Sequence, residues 1–427
     1  MDDDGNHSQL EAAVTRQRTP LLLVAGLAAE HAAVVADRYA ADPHTAVLHH
    51  DLREVTQGVV LRRLRHGGYD RTETLELAHG CVSCTLREDL LPVVLRLAHA
   101  PDVRRVVLHC DRALEPEAVC WALRHVVVDG RTAESEVYVE GVLTVVDAAT
   151  WFADATGDIE LSERGLHASA DDERTVAQVA VGQVEFADLL VLAGEAPDAW
   201  TAARTDAVLD RLAPLAPRTR LADLDPVRFL ARVPANARRG EIDDAHAPLL
   251  RGQPPLTEDS GVALTVFSQR RPFHPDRLHE ALDFLLDGVV RARGRVWVAS
   301  QPEVALFLET AGGGLRIGHA GPWLAALEPE QWSAVDGDRR AMANLVWDPY
   351  YGDRSQDLVV LSHSAVPAEI TEALTAALLT DEELAQGWDA WLAYEDPFGT
   401  WHEDPCEDAG EPRGPVDVII SNQKDEQ

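Results

Sequence analysis

The sequence predicts an α/β protein: a mostly parallel sheet covered by helices on both faces, followed by a smaller α+β domain. Three observations carry that prediction. Short, wholly apolar runs alternate with segments of helical period, the pattern of strands buried on both faces. At 427 residues the chain is too long for one ordinary core. Between about 221 and 260 the periodicity fades into prolines, alanines and mixed charge, as in Pro234-Ala235-Asn236-Ala237 and Gln253-Pro254-Pro255, before a second patterned block begins.

Each element can be justified in order. Thr19 to Ala25 (TPLLLVA) reads as a buried strand, Ala28 to Ala40 as a helix and Thr45 to His49 as a second strand. Leu86 to Ala98 carries apolar residues at helical spacing. Arg105 to His109 is a strand, a helix starts at Pro116, Val137 to Asp147 is a long strand, a helix runs up to Phe186, and Asp188 to Leu192 is a further strand. In the second block Val262 to Phe267, Val289 to Ala299 and Asp357 to Leu361 read as strands, and Pro275 to Leu286 and Pro367 to Leu379 as helices. The expected partition is a disordered N-terminus (1–16), a first domain (17–220), a linker with room for a short helix (221–260), a second domain (261–390) and an acidic tail (391–427). No internal repeat is present.

Composition excludes several function classes. A 46% hydrophobic and 26% charged chain is that of a soluble globular protein. No apolar run approaches the roughly 20 residues that span a bilayer, and Met1-Asp2-Asp3-Asp4-Gly5 is acidic where a signal peptide is basic. A cytoplasmic protein without a membrane partner is therefore expected. The formal charge of −34 repels a phosphate backbone, which argues against direct nucleic-acid binding. Part of that charge is local, in Asp381-Glu382-Glu383, Glu395-Asp396, Glu403-Asp404 and Glu407-Asp408, and the last 20 or so residues read as a flexible, solvated tail.

Five cysteines are too few and too scattered for a disulfide framework. Two of them stand at i and i+3 in His79-Gly80-Cys81-Val82-Ser83-Cys84-Thr85-Leu86, at the front of a helix. Thiolates so spaced can reach one ion, and half of many tetrahedral zinc sites is built this way. A helix N-terminus also favours thiolate, which suits metal binding and redox chemistry alike. Two partly buried thiols with no ligand remain the plain alternative. Completing a metal site needs more donors. His79 is adjacent, His49 and His50 close the second strand, and His109-Cys110 closes another; the carboxyl ends of parallel strands gather at one sheet edge, where these side chains can meet Cys81 and Cys84. Cys120 reads as core, and Cys406 as a weak second contact or plain tail.

Three stretches together resemble the CobW-like family of P-loop GTPases, tied to metal-cofactor delivery and zinc homeostasis. They are GCVSCTLREDLLP, with Ser83 where a middle cysteine is usual; RPFHPDRLHEALDFL at Arg271 to Leu285 with RARGRVWVASQPE at Arg291 to Glu303; and WDPYYGDRSQDLVVLS at Trp347 to Ser362 with LLTDEEL at Leu378 to Leu384. The resemblance covers roughly residues 19 to 390. It implies a P-loop-GTPase-like first domain, a CobW C-terminal-like second domain, and zinc, GTP and Mg²⁺ as ligands, with the Cys81–Cys84 pair at the family's metal position.

The nucleotide elements depart from the family pattern. A phosphate loop needs glycines, a lysine and a hydroxyl residue. In Gly26-Leu27-Ala28-Ala29-Glu30-His31-Ala32-Ala33 only Gly26 matches; His31 stands at the last glycine, Ala32 at the lysine and Ala33 at the hydroxyl, and Glu30 brings negative charge. Of the family's Glu-x-x-Gly, His109 and Arg112 occupy the two defining places, and the guanine-reading Asn-Lys-x-Asp falls on Ala193-Gly194-Glu195-Ala196. With the parts that position and stabilise a transferring phosphoryl group altered together, no catalytic residue is expected, and Gly26 is a vestige. The departures look most like the actinobacterial members that recruit a ribosome hibernation factor, which implies a zinc-linked protein partner near the ribosome. A GTP-dependent zinc metallochaperone is the alternative. In the second domain Arg271, His274, Arg291, Arg293 and Trp297 read either as ties between the small sheet and its helices or as a positive partner surface.

Overall fold

The alternation of apolar strand and amphipathic helix builds an eight-stranded sheet whose parallel part lies between helical layers. The computed structural model describes residues 18–77, 80–167, 169, 172–399 and 417–418. The expected N-terminal disorder and most of the acidic tail, Cys406 included, fall outside them. The first domain contains β1 (Thr19–Ala25), α1 (Ala29–Ala40), β2 (Thr45–Asp51), β3 (Val59–His66), β4 (Tyr69–Glu76), α2 (Val82–Thr85), α3 (Leu91–His99), β5 (Arg105–His109) and α4 (Pro116–His125). A small ribbon of β6 (Val127–Val128) and β7 (Arg131–Thr132) precedes β8 (Val137–Asp147), α5 (Trp151–Thr156), α6 (Val176–Glu185), β9 (Leu189–Ala193), α7 (Ala199–Leu212) and β10 (Arg218–Arg220).

The sheet order is β10-β9-β8-β1-β5-β2-β3-β4, parallel as far as β2 and antiparallel beyond it. Side-chain alternation explains why β1 is apolar throughout. Leu21, Leu23 and Ala25 pack toward α3 and α4, while Leu22 and Val24 pack toward α1. The β3–β4 hairpin was not expected from periodicity, because both its faces are polar and half exposed. Gly67 and Gly68, both at positive φ, make its two-residue turn.

Residues 221–260 are not a free tether. They include α8 (Pro226–Leu230), and Leu224, Phe229 and Leu230 join the core beneath α1. The second domain follows with β11 (Ala263–Gln269), α9 (Pro275–Ala281), β12 (Val289–Val296), β13 (Val304–Ala311), β14 (Gly314–Pro322), α10 (Gly337–Val346), β15 (Gln356–Ser362), α11 (Pro367–Ala377), α12 (Asp381–Gln386), α13 (Trp388–Trp391) and β16 (Asp417–Val418). Its antiparallel sheet runs β11-β15-β12-β13-β14-β16. The segment read as tail from 391 onward is in part structured, with Trp391 and Phe398 buried and β16 paired to β14, because apolar anchors interrupt the acidic run.

One face of this sheet holds α9 and α11; the other meets α6 of the first domain. Alternation along β12 sorts its residues accordingly. Ala292 and Val296 face the domain's own helices, and Arg291, Arg293 and Arg295 face the first domain and the 221–260 segment. The positive partner surface considered for these arginines is therefore an internal contact. Arg271 donates to the Leu379 carbonyl and pairs with Asp381, the His274 ring packs on Tyr394, and buried Trp297 is bracketed by the Gln356 side-chain amide.

Candidate metal and nucleotide site

The chain reaches the cysteine pair from β4, and Gly80 sets the approach. A side chain on Gly80 would place its Cβ 2.4 Å from the Val55 carbonyl oxygen, so only glycine lets the chain pass there. Cys81 then caps α2: its sulfur accepts from the Cys84 backbone N–H at 3.4 Å, and its carbonyl accepts from Thr85. The two thiols lie side by side and half exposed at a helix N-terminus. Hydrogen bonding to Cys81, followed by burial, pushes the Cys84 thiol up to about 11. A cation shared by both sulfurs would favour their deprotonated form.

After the pair the helix widens into one π turn, Leu86–Leu90, before α3. Such turns recur at functional sites and re-aim side chains. Here the turn aims Asp89 at the sheet, where it bonds His50 Nε2 at 2.7 Å and pairs with Arg62, which also pairs with Glu73. Burial keeps His50 below the usual histidine range despite Asp89, and its Nδ1 is buried without a hydrogen-bond partner. Asp89 and Arg62 were not singled out from the sequence. The signal was present as a carboxylate five residues after Cys84 on a helix otherwise apolar toward the sheet.

Of the proposed donors, His79 lies outside the described residues, and the strand-end groups divide between two faces. His109 stacks on His49, with ring centroids 4.3 Å apart, on the α1 side. Burial, then the nearby His49, push its imidazole down to about 3, and it is neutral at physiological pH. Cys110 points the opposite way into the α3–α4 core, where burial pushes its thiol up to about 12. The pleat enforces this, since neighbouring strand residues face opposite sides. Cys120 is buried in that same core. Among the described residues no group of three His, Cys, Asp or Glu side chains is placed to hold a metal ion, so the expected meeting of His109 and Cys110 with Cys81 and Cys84 is not seen.

The nucleotide position is shaped by packing. Only Gly26, Leu27 and Ala28 separate β1 from α1, and the positions aligned with the phosphate-loop lysine and hydroxyl lie inside the helix. Gly26 has a φ of 147°, and a Cβ there would sit 2.4 Å from the Val145 carbonyl oxygen, so the glycine serves the close approach of β8. Ala28 offers α1 no side-chain cap. Glu30 occupies the first helical turn, and Asp147 stands 3.7 Å from His31. The turn and the helix start thus carry one acidic residue, Glu30, with Asp147 beside His31 and no lysine between Gly26 and Ala33.

The other two nucleotide elements are braced in place. Asp111 accepts from the Leu52 and Ala113 amides, and Gln183 donates to the Arg112 and Leu114 carbonyls. Gly194, at positive φ, folds against Asp147, and neither Ala193 nor Ala196 offers a base a polar partner.

Comparison with known proteins places this geometry in a family. Residues 33–218 match the CobW/HypB/UreG nucleotide-binding domain, and residues 262–378 match the cobalamin synthesis protein CobW C-terminal domain. A Mycobacterium tuberculosis protein named a zinc chaperone is 46% identical over 410 residues, covering 93% of this chain and 97% of its own. A Dictyostelium discoideum protein named zinc-regulated GTPase metalloprotein activator 1 is 28% identical over 338 residues, covering 76% of this chain and 70% of its own. Among solved structures, the Zn(II)-bound YjiA GTPase of E. coli overlaps 85% of this chain and 100% of its own at 14% identity and a TM-score of 0.36, too loose a likeness to add to the fold described above. On the two domain matches and the length of the mycobacterial alignment, the chain belongs to the CobW family, with a CobW/HypB/UreG-type first domain and a CobW C-terminal second domain.

Proposed function

We propose that this chain is a zinc-linked regulatory interaction protein, a pseudo-GTPase in which Cys81 and Cys84 sense or carry zinc and the nucleotide position no longer supports turnover. The observation that carries the reading is the contrast at the two ends of one sheet edge. A thiol pair stands at a helix start, while the β1–α1 turn has three residues, no lysine and no hydroxyl. The family match itself begins at residue 33, beyond that turn. The relatives' names, zinc chaperone and zinc-regulated activator, support zinc as the ion. Two thiolates make half a tetrahedral site, so further donors come from a partner protein or from residues beyond the described set. Such a site exchanges its metal more readily than a four-thiolate structural site, which suits sensing.

The partner in this reading is a protein, with a ribosome hibernation factor recruited under zinc limitation as the specific case. The net charge of −34 directs contact at a ribosome to protein surfaces. A GTP-dependent zinc metallochaperone is the second reading, favoured by the nucleotide-binding description of the matched domain and by the Dictyostelium relative's name. Equilibrium binding and turnover of GTP with Mg²⁺ separates the two: the pseudo-GTPase reading expects neither, and hydrolysis with affinity on the order of micromolar would overturn it. Zinc titration should show binding in the wild-type protein and its loss in the Cys81→Ser, Cys84→Ser double variant. A pull-down from zinc-poor and zinc-rich cells tests the regulated partner, whose recovery must change with zinc.

A further inference from the structure

The contact between the two domains leaves a partly open cavity of about 40 Å³ whose lining includes five arginines, Arg211 at the end of α7, Arg238 and Arg251 from the 221–260 segment, and Arg291 and Arg293 on β12. Their compensation within the lining is incomplete. Arg291 and Arg293 share Glu185, and Arg291 also pairs with Glu309. Arg238 and Arg251 share Asp243. Arg211 is 5% exposed and donates only to the Ala207 and Thr257 carbonyls; no carboxylate pairs with it among the described residues. Within the lining itself five guanidinium groups face two carboxylates, Glu185 and Asp243, while Glu309, Glu117, Glu241 and Asp188 act on them from outside it. The Nε atoms of Arg211, Arg291 and Arg293 are buried and lack hydrogen-bond partners.

Guanidinium does not shed its proton in a protein, so the positive charge concentrated on this lining favours an incoming anion. A single water needs roughly 10–15 Å³ of such space, so the cavity has room for about three waters or one small tetrahedral oxyanion. Waters would satisfy the N–H groups but not the charge. Forked guanidinium donors suit the oxygens of phosphate-like ions. We infer that this interdomain cavity is a binding site for a tetrahedral oxyanion of the phosphate or sulfate kind. Its lining comes from the first domain, the 221–260 segment and the second domain, so a bound oxyanion fastens all three together and stabilises the folded chain in proportion to its occupancy. The site is separate from the cysteine pair and from the β1–α1 turn.

Calorimetric titration and thermal unfolding of the full chain test this, with inorganic phosphate and sulfate compared with chloride at matched ionic strength. One equivalent of phosphate should bind, and it should raise the melting temperature more than chloride does. Arg211→Met should weaken phosphate binding by about ten-fold or more, the size expected on losing a charge-assisted hydrogen bond. If that variant does not fold, Arg251→Gln decides, since the Arg251 side chain is 32% exposed and its loss leaves the buried pairs in place. No phosphate-specific response in the wild-type protein overturns the inference, as does an undiminished response in the folded variants.

Discussion

His109 shows how a residue's face on a strand decides its chemistry. Its place at the end of β5 made it a candidate ligand, yet the residue is only 6% exposed and its ring lies against His49. Its folded pKa of about 3 lies below the unfolded value of 6.5. The unfolded chain therefore takes up the proton first, and this group's contribution to stability is present above pH 6.5 and lost as pH falls through that window. His109→Phe, which keeps a ring for stacking, should be near neutral in stability at pH 8. At pH 5 it should retain about 2 kcal/mol that the wild-type chain loses. Urea denaturation at the two pH values checks this, and equal losses at pH 5 would show that His109 is not the acid-sensitive group. Gly26 teaches the same lesson differently: it fits the first glycine of a phosphate loop in sequence, and in space it makes way for the Val145 carbonyl.

At the scale of elements, the segment bearing Cys81 and Cys84 is tied to the sheet through the π turn behind it. Asp89 ties that turn to His50 on β2 and Arg62 on β3. Asp89→Asn keeps the shape and removes the charge, so it should cost about 2 kcal/mol, in the range for hydrogen bonds to charged groups. It should also speed reaction of Cys81 and Cys84 with a thiol reagent, because the turn that positions them loosens. Unchanged thiol kinetics in a destabilised Asp89→Asn would confine Asp89 to a purely structural role. This network was legible only in part. Gly67-Gly68 is a hairpin signal, but the polar strands around it lack the apolar alternation by which strands are recognised, so β3 and its Arg62 went unplaced. β1, β5, β8 and the start of α4 were readable to the residue because each is apolar or proline-marked.

At the scale of the whole molecule, the interdomain contact combines apolar packing with buried charge. Val290, Ala311 and Leu361 meet the α6 core, and Glu185 sits between Arg291 and Arg293. Burial alone would raise the Glu185 carboxyl, and the two guanidiniums outweigh it and hold it at about 2. With the folded value below the unfolded 4.5, its stabilisation is full above pH 4.5 and lost as pH falls toward 2. Glu185→Gln leaves two buried guanidiniums underpaired and should cost about 3 kcal/mol at pH 7. The difference from wild type should shrink as pH falls below 4.5. A calorimetric scan checks both points; separate melting of the two domains in the variant would show that this contact couples them, and a loss that persists unchanged at pH 3 would count against the ion pair.

By itself the sequence determined the α/β class, most parallel strands, the thiol pair at a helix start and the absence of a phosphate-loop lysine, because each is written in local spacing and residue type. Tertiary structure decided which groups meet. His109 and Cys110 are adjacent in sequence and face opposite layers, because a strand turns successive side chains to opposite sides. Arg291 and Arg293, which read either as ties within the second domain or as a positive partner surface, close around Glu185 of the first domain, because the face they share on β12 is the one that packs there. Local spacing says which side chains share a face; only the packing of one face on another says what that face meets.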